Sequence, residues 1–171
     1  MTRAIYVGPW RIDLTVRDGV ASPVSGVALA KAIGAALDVA VAADRAPSPA
    51  SIGLILSDDV ELAELNRDHM GKAGPTDVLS FPLFDPAFPL PAGRRPHLGD
   101  IVVSIERATE QAVEGRGGQT SDVAWSPADE LRLLVTHGAL HICGWDHAEP
   151  EEAATMRRLE RRLLGTAAGS G

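Results

Sequence analysis

Cysteine is almost absent from this sequence. Cys143 is the only one in 171 residues, so no intrachain disulfide can form and a disulfide-stapled secreted fold is excluded. Basic charge is also in deficit. Sixteen Lys and Arg against 23 Asp and Glu leave a net charge of −7 at pH 7, the wrong sign for a protein that coats nucleic acid by bulk charge. A local basic patch is still compatible with that balance. Long apolar runs are missing as well, none approaching the roughly 18 to 20 residues of a membrane span. The segment containing Arg3, Trp10, Arg11 and Asp13 holds no signal-type apolar stretch. What is present is ordinary for a folded chain, with 45% hydrophobic and 23% charged residues, and disorder would need fewer apolar ones. The length suits one domain over residues 1–171, and the expectation is a cytoplasmic single-domain protein with no membrane contact.

Strand and helix signals alternate along the chain. Ile12, Leu14 and Val16 alternate with Arg11, Asp13 and Thr15, which predicts a first strand over Arg11 to Val16. Val27, Leu29, Ile33, Leu37 and Val41 recur at helical spacing through Gly26 to Ala42. A buried strand is expected from Ser51 to Leu56, and a helix from Asp58 to Asp68 capped by Ser57 or Asp58. The segment PTDVLSF leads into a third strand carrying Val78, Leu79 and Phe81, and Gly99 to Ser104 forms a fourth. Between them, Pro82 to Pro96 holds five of twelve prolines without a repeat and is a loop bearing the Arg94–Arg95 pair. Helical patterns occupy Ser104 to Gly115 and Pro150 to Leu164. These signals predict an α/β or α+β fold with one mixed sheet of about four strands, packed with helices.

The chemistry gathers between Ser126 and His147. Ser126 suits a helix N-cap and Pro127 the first helical position, with Asp129 and Glu130 at the positive end. Glu130, Leu134, His137 and His141 share one stripe at about 100° per residue, so His137 and His141 sit one turn apart with their imidazoles side by side. Gly144 ends the helix and lets the chain bend, and His147 follows within reach of the first two. The result is HGALHICGWDH, with three of the chain's five histidines inside eleven residues. Three neutral imidazoles with an open fourth position form the ligand set of a hydrolytic zinc centre, although histidine sites also take nickel, copper or iron. A metalloprotease of the H-E-x-x-H type needs glutamate directly after the first histidine, and Gly138 stands there instead. Asp146 either orients a ligand ring or caps a turn, and Glu130 either joins the site or belongs to the acidic first turn. Cys143 points about 200° away from His141 and reads as a small buried thiol. His69 and His97 read as surface loop residues.

With these residues assembled, the sequence resembles the YbeY family of rRNA maturation factors, described as single-strand-specific, metal-dependent endoribonucleases. The family's Leu-Asn, Gly-Lys and Pro-Thr-Asp-Val-Leu-Ser-Phe-Pro pattern is met by Leu65–Asn66, Gly71–Lys72 and Pro75 to Pro82. Its Gly-Asp-Ile strand is met by Gly99 to Ile101, its histidine signature by His137 to His147, and a terminal helix follows. The matching order spans about Arg11 to Leu164.

The resemblance implies one zinc ion held by His137, His141 and His147 in a cleft. It further implies action on 16S rRNA 3′ ends and in ribosome quality control, with rRNA, the small ribosomal subunit and assembly proteins as partners. Beyond the metal and its water, Asp146 and Lys72 are the candidates for catalytic roles. One position departs from the pattern. Many members carry an arginine two residues before Lys72 that handles RNA phosphate, and here it is Met70. Lys72, Arg67 and the Arg94–Arg95 pair are the cations that could replace it. A second cationic feature is Arg157, Arg158, Arg161 and Arg162, which complement the dipole of the last helix and could also meet rRNA or a ribosomal protein. Two other readings share the histidines: an assembly factor whose zinc is structural, and a metallohydrolase of another substrate class.

Overall fold

Apolar residues at every second position build the inner face of a five-stranded sheet. The computed structural model describes residues 2–74, 76–88, 90, 93–114, 125–146 and 148–169. In chain order its elements are β1 (Thr2–Val7), β2 (Trp10–Val16), α1 (Gly26–Ala42), β3 (Ala50–Ser57) and α2 (Asp59–Leu65). A π-helical turn (Asn66–Met70) follows, then β4 (Val78–Pro82), β5 (His97–Ser104), α3 (Ile105–Glu114), α4 (Pro127–Ile142) and α5 (Pro150–Gly169). The strands lie in the order β1-β2-β3-β5-β4. The inner three, β2, β3 and β5, are parallel, and β1 and β4 close the two edges antiparallel. Trp10, Ile12, Leu14, Ile52, Leu54, Leu56, Ile101 and Val103 are buried together with Leu29, Ile33, Leu37, Leu131, Val135 and Leu140, so α1 and α4 cover one face. Leu62, Leu79 and Val102 form a smaller core under α2 on the other face. No helix among the described residues is long and apolar enough to cross a membrane.

The sheet has one strand more than the four expected, and the addition is β1. Its residues are mostly exposed, which is why the hydrophobic pattern is faint there. The Gly8–Pro9 turn returns the chain into β2, with Gly8 at φ 54°, a conformation glycine adopts without a Cβ clash. Two further differences concern the middle of the chain. The helix expected to Asp68 is α-helical only to Leu65 and then widens into the π turn, whose N-terminal residue Asn66 is buried. Its Nδ2 donates to Gly74 O at 3.0 Å, tying that turn to the approach into β4. His97, expected in a loop, is the first residue of β5. The glycines expected to end α3 (Gly115, Gly117 and Gly118) lie outside the described residues.

Candidate metal centre

Local sequence is sufficient to start α4 where it starts. Ser126 Oγ accepts from Asp129 N at 3.1 Å while Asp129 Oδ2 accepts from Ser126 N at 3.0 Å, a reciprocal capping box that satisfies two helix-end donors. Pro127 occupies the first helical position, where its missing N–H costs no hydrogen bond. Register is then set by packing. Leu131, Leu134, Val135, Ala139 and Leu140 are buried, and Gly138 lies directly against the sheet. A Cβ added at Gly138 would stand 2.9 Å from Ile101 Cγ2 and 3.2 Å from Ser80 Oγ. Ser80 Oγ also donates to Gly138 O at 3.3 Å. The residue type that removes the protease base is thus the one that lets α4 approach β4 and β5 closely.

With that face inward, His137 and His141 are half-buried, one turn apart at the edge of α4. Each uses its Nδ1 on an acceptor. His137 Nδ1 lies 2.6 Å from Glu160 Oε1, reaching from α4 to α5, and His141 Nδ1 lies 3.1 Å from Trp145 O just past the helix end. A backbone carbonyl cannot donate, so the His141 proton resides on Nδ1, and the Glu160 carboxylate selects the same tautomer for His137. When such a ring is neutral, Nε2 is its unprotonated nitrogen, the one suited to a metal. The carboxylate–histidine pair is the feature that sequence reading missed. Glu160 stands 23 residues from His137 and looks from the sequence like one charge among many on α5.

The other candidates fall as follows. His147 lies outside the described residues. Among the described residues no group of three His, Cys, Asp or Glu is gathered for a metal. Asp146 is exposed and its Oδ1 accepts from Ala148 N at 3.2 Å, so it supports the turn toward α5. Lys72 is exposed just after the π turn, and Met70 is 44% exposed within it. Arg67 pairs with its neighbour Asp68, and Arg95 donates to Pro9 O and Ala50 O, which fixes it at the start of β2 and β3. Glu130 is buried and receives a hydrogen bond from Trp125 Nε1 at 3.4 Å. Cys143 is buried, and burial pushes its thiol up to about 11. His97 is bound on the opposite face of the sheet, between Ser51 Oγ at 2.8 Å and Asp100 Oδ1 at 2.9 Å. Trp145 is buried with the Arg45 guanidinium 4.3 Å above its ring, so it packs.

Comparison with known proteins bears on the family of the chain. The family model described as endoribonuclease YbeY matches residues 20–168, which include both histidines and Glu160. The chain belongs to the YbeY family. Endoribonuclease YbeY of Synechococcus sp. (strain CC9605) is 46% identical over 121 residues, spanning 71% of this chain and 68% of its own. The Rhodospirillum rubrum endoribonuclease YbeY is 38% identical over 159 residues, spanning 92% of this chain and 73% of its own. In fold, the chain is similar to the solution structure of TM1509 from Thermotoga maritima. The TM-score is 0.53 at 24% identity, covering 92% of this chain and 90% of that one.

Proposed function

We propose that this YbeY-family chain is a cytoplasmic, zinc-dependent endoribonuclease specific for single strands, acting in 16S rRNA 3′-end maturation and ribosome quality control. The observation that carries this reading is the histidine pair on α4 with both Nδ1 atoms already bound by acceptors. That donor set fits a metal. Two neutral imidazoles are held in one tautomer, and His147 supplies the third ligand in this proposal. When bound, zinc supplies Lewis acidity for a phosphate oxygen and lowers the pKa of a water.

The chain's own residues do the rest. Glu160 holds the His137 ring against rotation, and the Trp145 carbonyl does the same for His141. Gly138 keeps α4 close to β5, so the histidine edge is carried on a rigid helix rather than on a loop. Asp146 and Lys72, both exposed, are the groups proposed to move protons near the scissile phosphate. At a net charge of −7, affinity for free RNA is modest, and delivery by the small ribosomal subunit and its assembly proteins fits that balance.

Two outcomes are expected. Protein stripped with a chelator loses cleavage of a single-stranded RNA, and one equivalent of zinc restores it. Full activity in the stripped protein would reject the metal's role. Glu160→Gln is expected to weaken zinc binding by about 10- to 100-fold in competition with a chromogenic chelator. Unchanged affinity would reduce the Glu160 contact to packing between α4 and α5.

A further inference from the structure

The ion pairs and the helix geometry of α5 divide its four arginines into two pairs. Met156 is buried and Leu159 and Leu163 are half-buried, which defines the face that α5 turns to the core. Glu152 lies on that same side of the helix, and its Oε1 is 3.2 Å from Arg45 just beyond α1. Glu160, bound to His137, marks the side of that face toward the histidines. At about 100° per residue, Arg157 and Arg161 lie about 60° and 100° beyond Glu160, on the side away from Glu152. Arg158 and Arg162 lie about 160° to either side of Glu160, turned farther from it than the other two. All four are exposed. Proximity to the helix C-terminus is nearly equal for the two pairs, so the macrodipole accounts for their charge and not for their separation.

Arg157 and Arg161 are therefore the two of the four turned nearer to Glu160 and the His137 it binds, one turn or about 6 Å apart along the helix. Among the described residues neither enters an ion pair, whereas Arg11, Arg17, Arg45, Arg107 and Arg132 each do. The neighbouring groove of about 720 Å³ at the start of α5 is lined by Arg45, Trp145 and the carboxylates Glu149, Glu151 and Glu152, a poor surface for a polyanion. Of the arginines weighed as phosphate contacts, Arg67 and Arg95 are bound elsewhere, and Arg94 is exposed on the loop before β5.

We infer that Arg157 and Arg161 form the phosphate-binding edge of the site, holding two backbone phosphates of a single RNA strand beside the histidines. This rests on the nuclease reading for its ligand and on the geometry of α5 for its location. It also answers how a chain of net charge −7 holds a polyanion: two exposed guanidinium groups at the site act locally, where total charge does not.

The test uses full-length protein and a fluorescent single-stranded oligoribonucleotide. Anisotropy is measured across a salt series in chelator, so that binding is read without cleavage. The variants are Arg157→Gln/Arg161→Gln and, with the same change in net charge, Arg158→Gln/Arg162→Gln. The first double variant is expected to bind at least about tenfold more weakly and to lose about 1.4 from the log–log salt slope, the contribution of two single-strand phosphate contacts. The second is expected to bind like the unmodified protein. Equal weakening in both pairs would overturn the inference in favour of bulk charge. Unchanged RNA binding in both, with lost affinity for ribosomal proteins in the first, would overturn it in favour of a protein partner. Binding that follows the expected pattern in protein that cuts no RNA would leave this inference standing and sink the nuclease reading alone.

Discussion

His141→Ala is expected to lose at least about three orders of magnitude in single-strand cleavage while staying folded. The size follows from what a metal supplies to phosphoryl chemistry, several kcal/mol of charge stabilisation, at about 1.4 kcal/mol for each tenfold in rate. The retention of fold follows from what His141 does for the apo protein. It is half-buried at the edge of α4 and bonds the Trp145 carbonyl, a contact worth about 1 kcal/mol. The buried core of α4 consists of Leu131, Leu134, Val135, Ala139 and Leu140, none of which is touched by the substitution. The variant's urea midpoint in chelator should therefore fall only slightly. A reading in which the metal is structural expects the reverse, a large loss of stability in zinc and little specific loss of chemistry. Measuring both quantities on the same preparation separates the two.

Gly138→Glu is expected to be the most destabilising single change near the site. It would recreate the H-E-x-x-H spacing of a protease, and the fold has no room for it. A Cβ alone would stand 2.9 Å from Ile101 Cγ2, and Ile101 is fully buried in β5. A glutamate adds the rest of its side chain to that contact and places a carboxylate against the sheet. Overpacking and desolvation together should cost more than about 3 kcal/mol, enough to abolish soluble expression of many domains. Gly138→Ala, which adds the Cβ only, should cost about 1–3 kcal/mol in urea unfolding. A stable Gly138→Glu protein that cleaves peptides would contradict the packing argument.

How much could be read from the sequence varied with the range of the interaction concerned. The helix α4 was legible because its signals are local: Ser126, Pro127 and Asp129 sit within four residues and act on one another. The helix α1 was legible from Gly26 to Ala42 because Leu29, Ile33 and Leu37 repeat at helical spacing on a buried face, although Val27 and Val41 at its ends remain exposed. The strand β1 was missed because an edge strand with mostly exposed residues carries little hydrophobic contrast; Ile5, Val7 and the Gly8–Pro9 turn were its only cues. The π turn after Leu65 depends on Asn66 bonding Gly74 O across a loop, which no helical periodicity encodes. Of the candidate site, the two α4 histidines were legible from their spacing. Glu160 was not, because its role depends on how α5 crosses α4 and brings residues 23 apart into contact. The same contact supplies the reference point from which Arg157 and Arg161 lie nearer the histidine side than Arg158 and Arg162.

The most direct measurement is cleavage of a 16S rRNA 3′-end fragment, offered as a single strand and as a duplex, by zinc-loaded protein with its metal content determined on the same sample. One zinc per chain with cutting confined to the single strand is the expected result. Folded, zinc-replete protein that leaves the single strand intact, or that cuts the duplex equally well, would contradict the assignment.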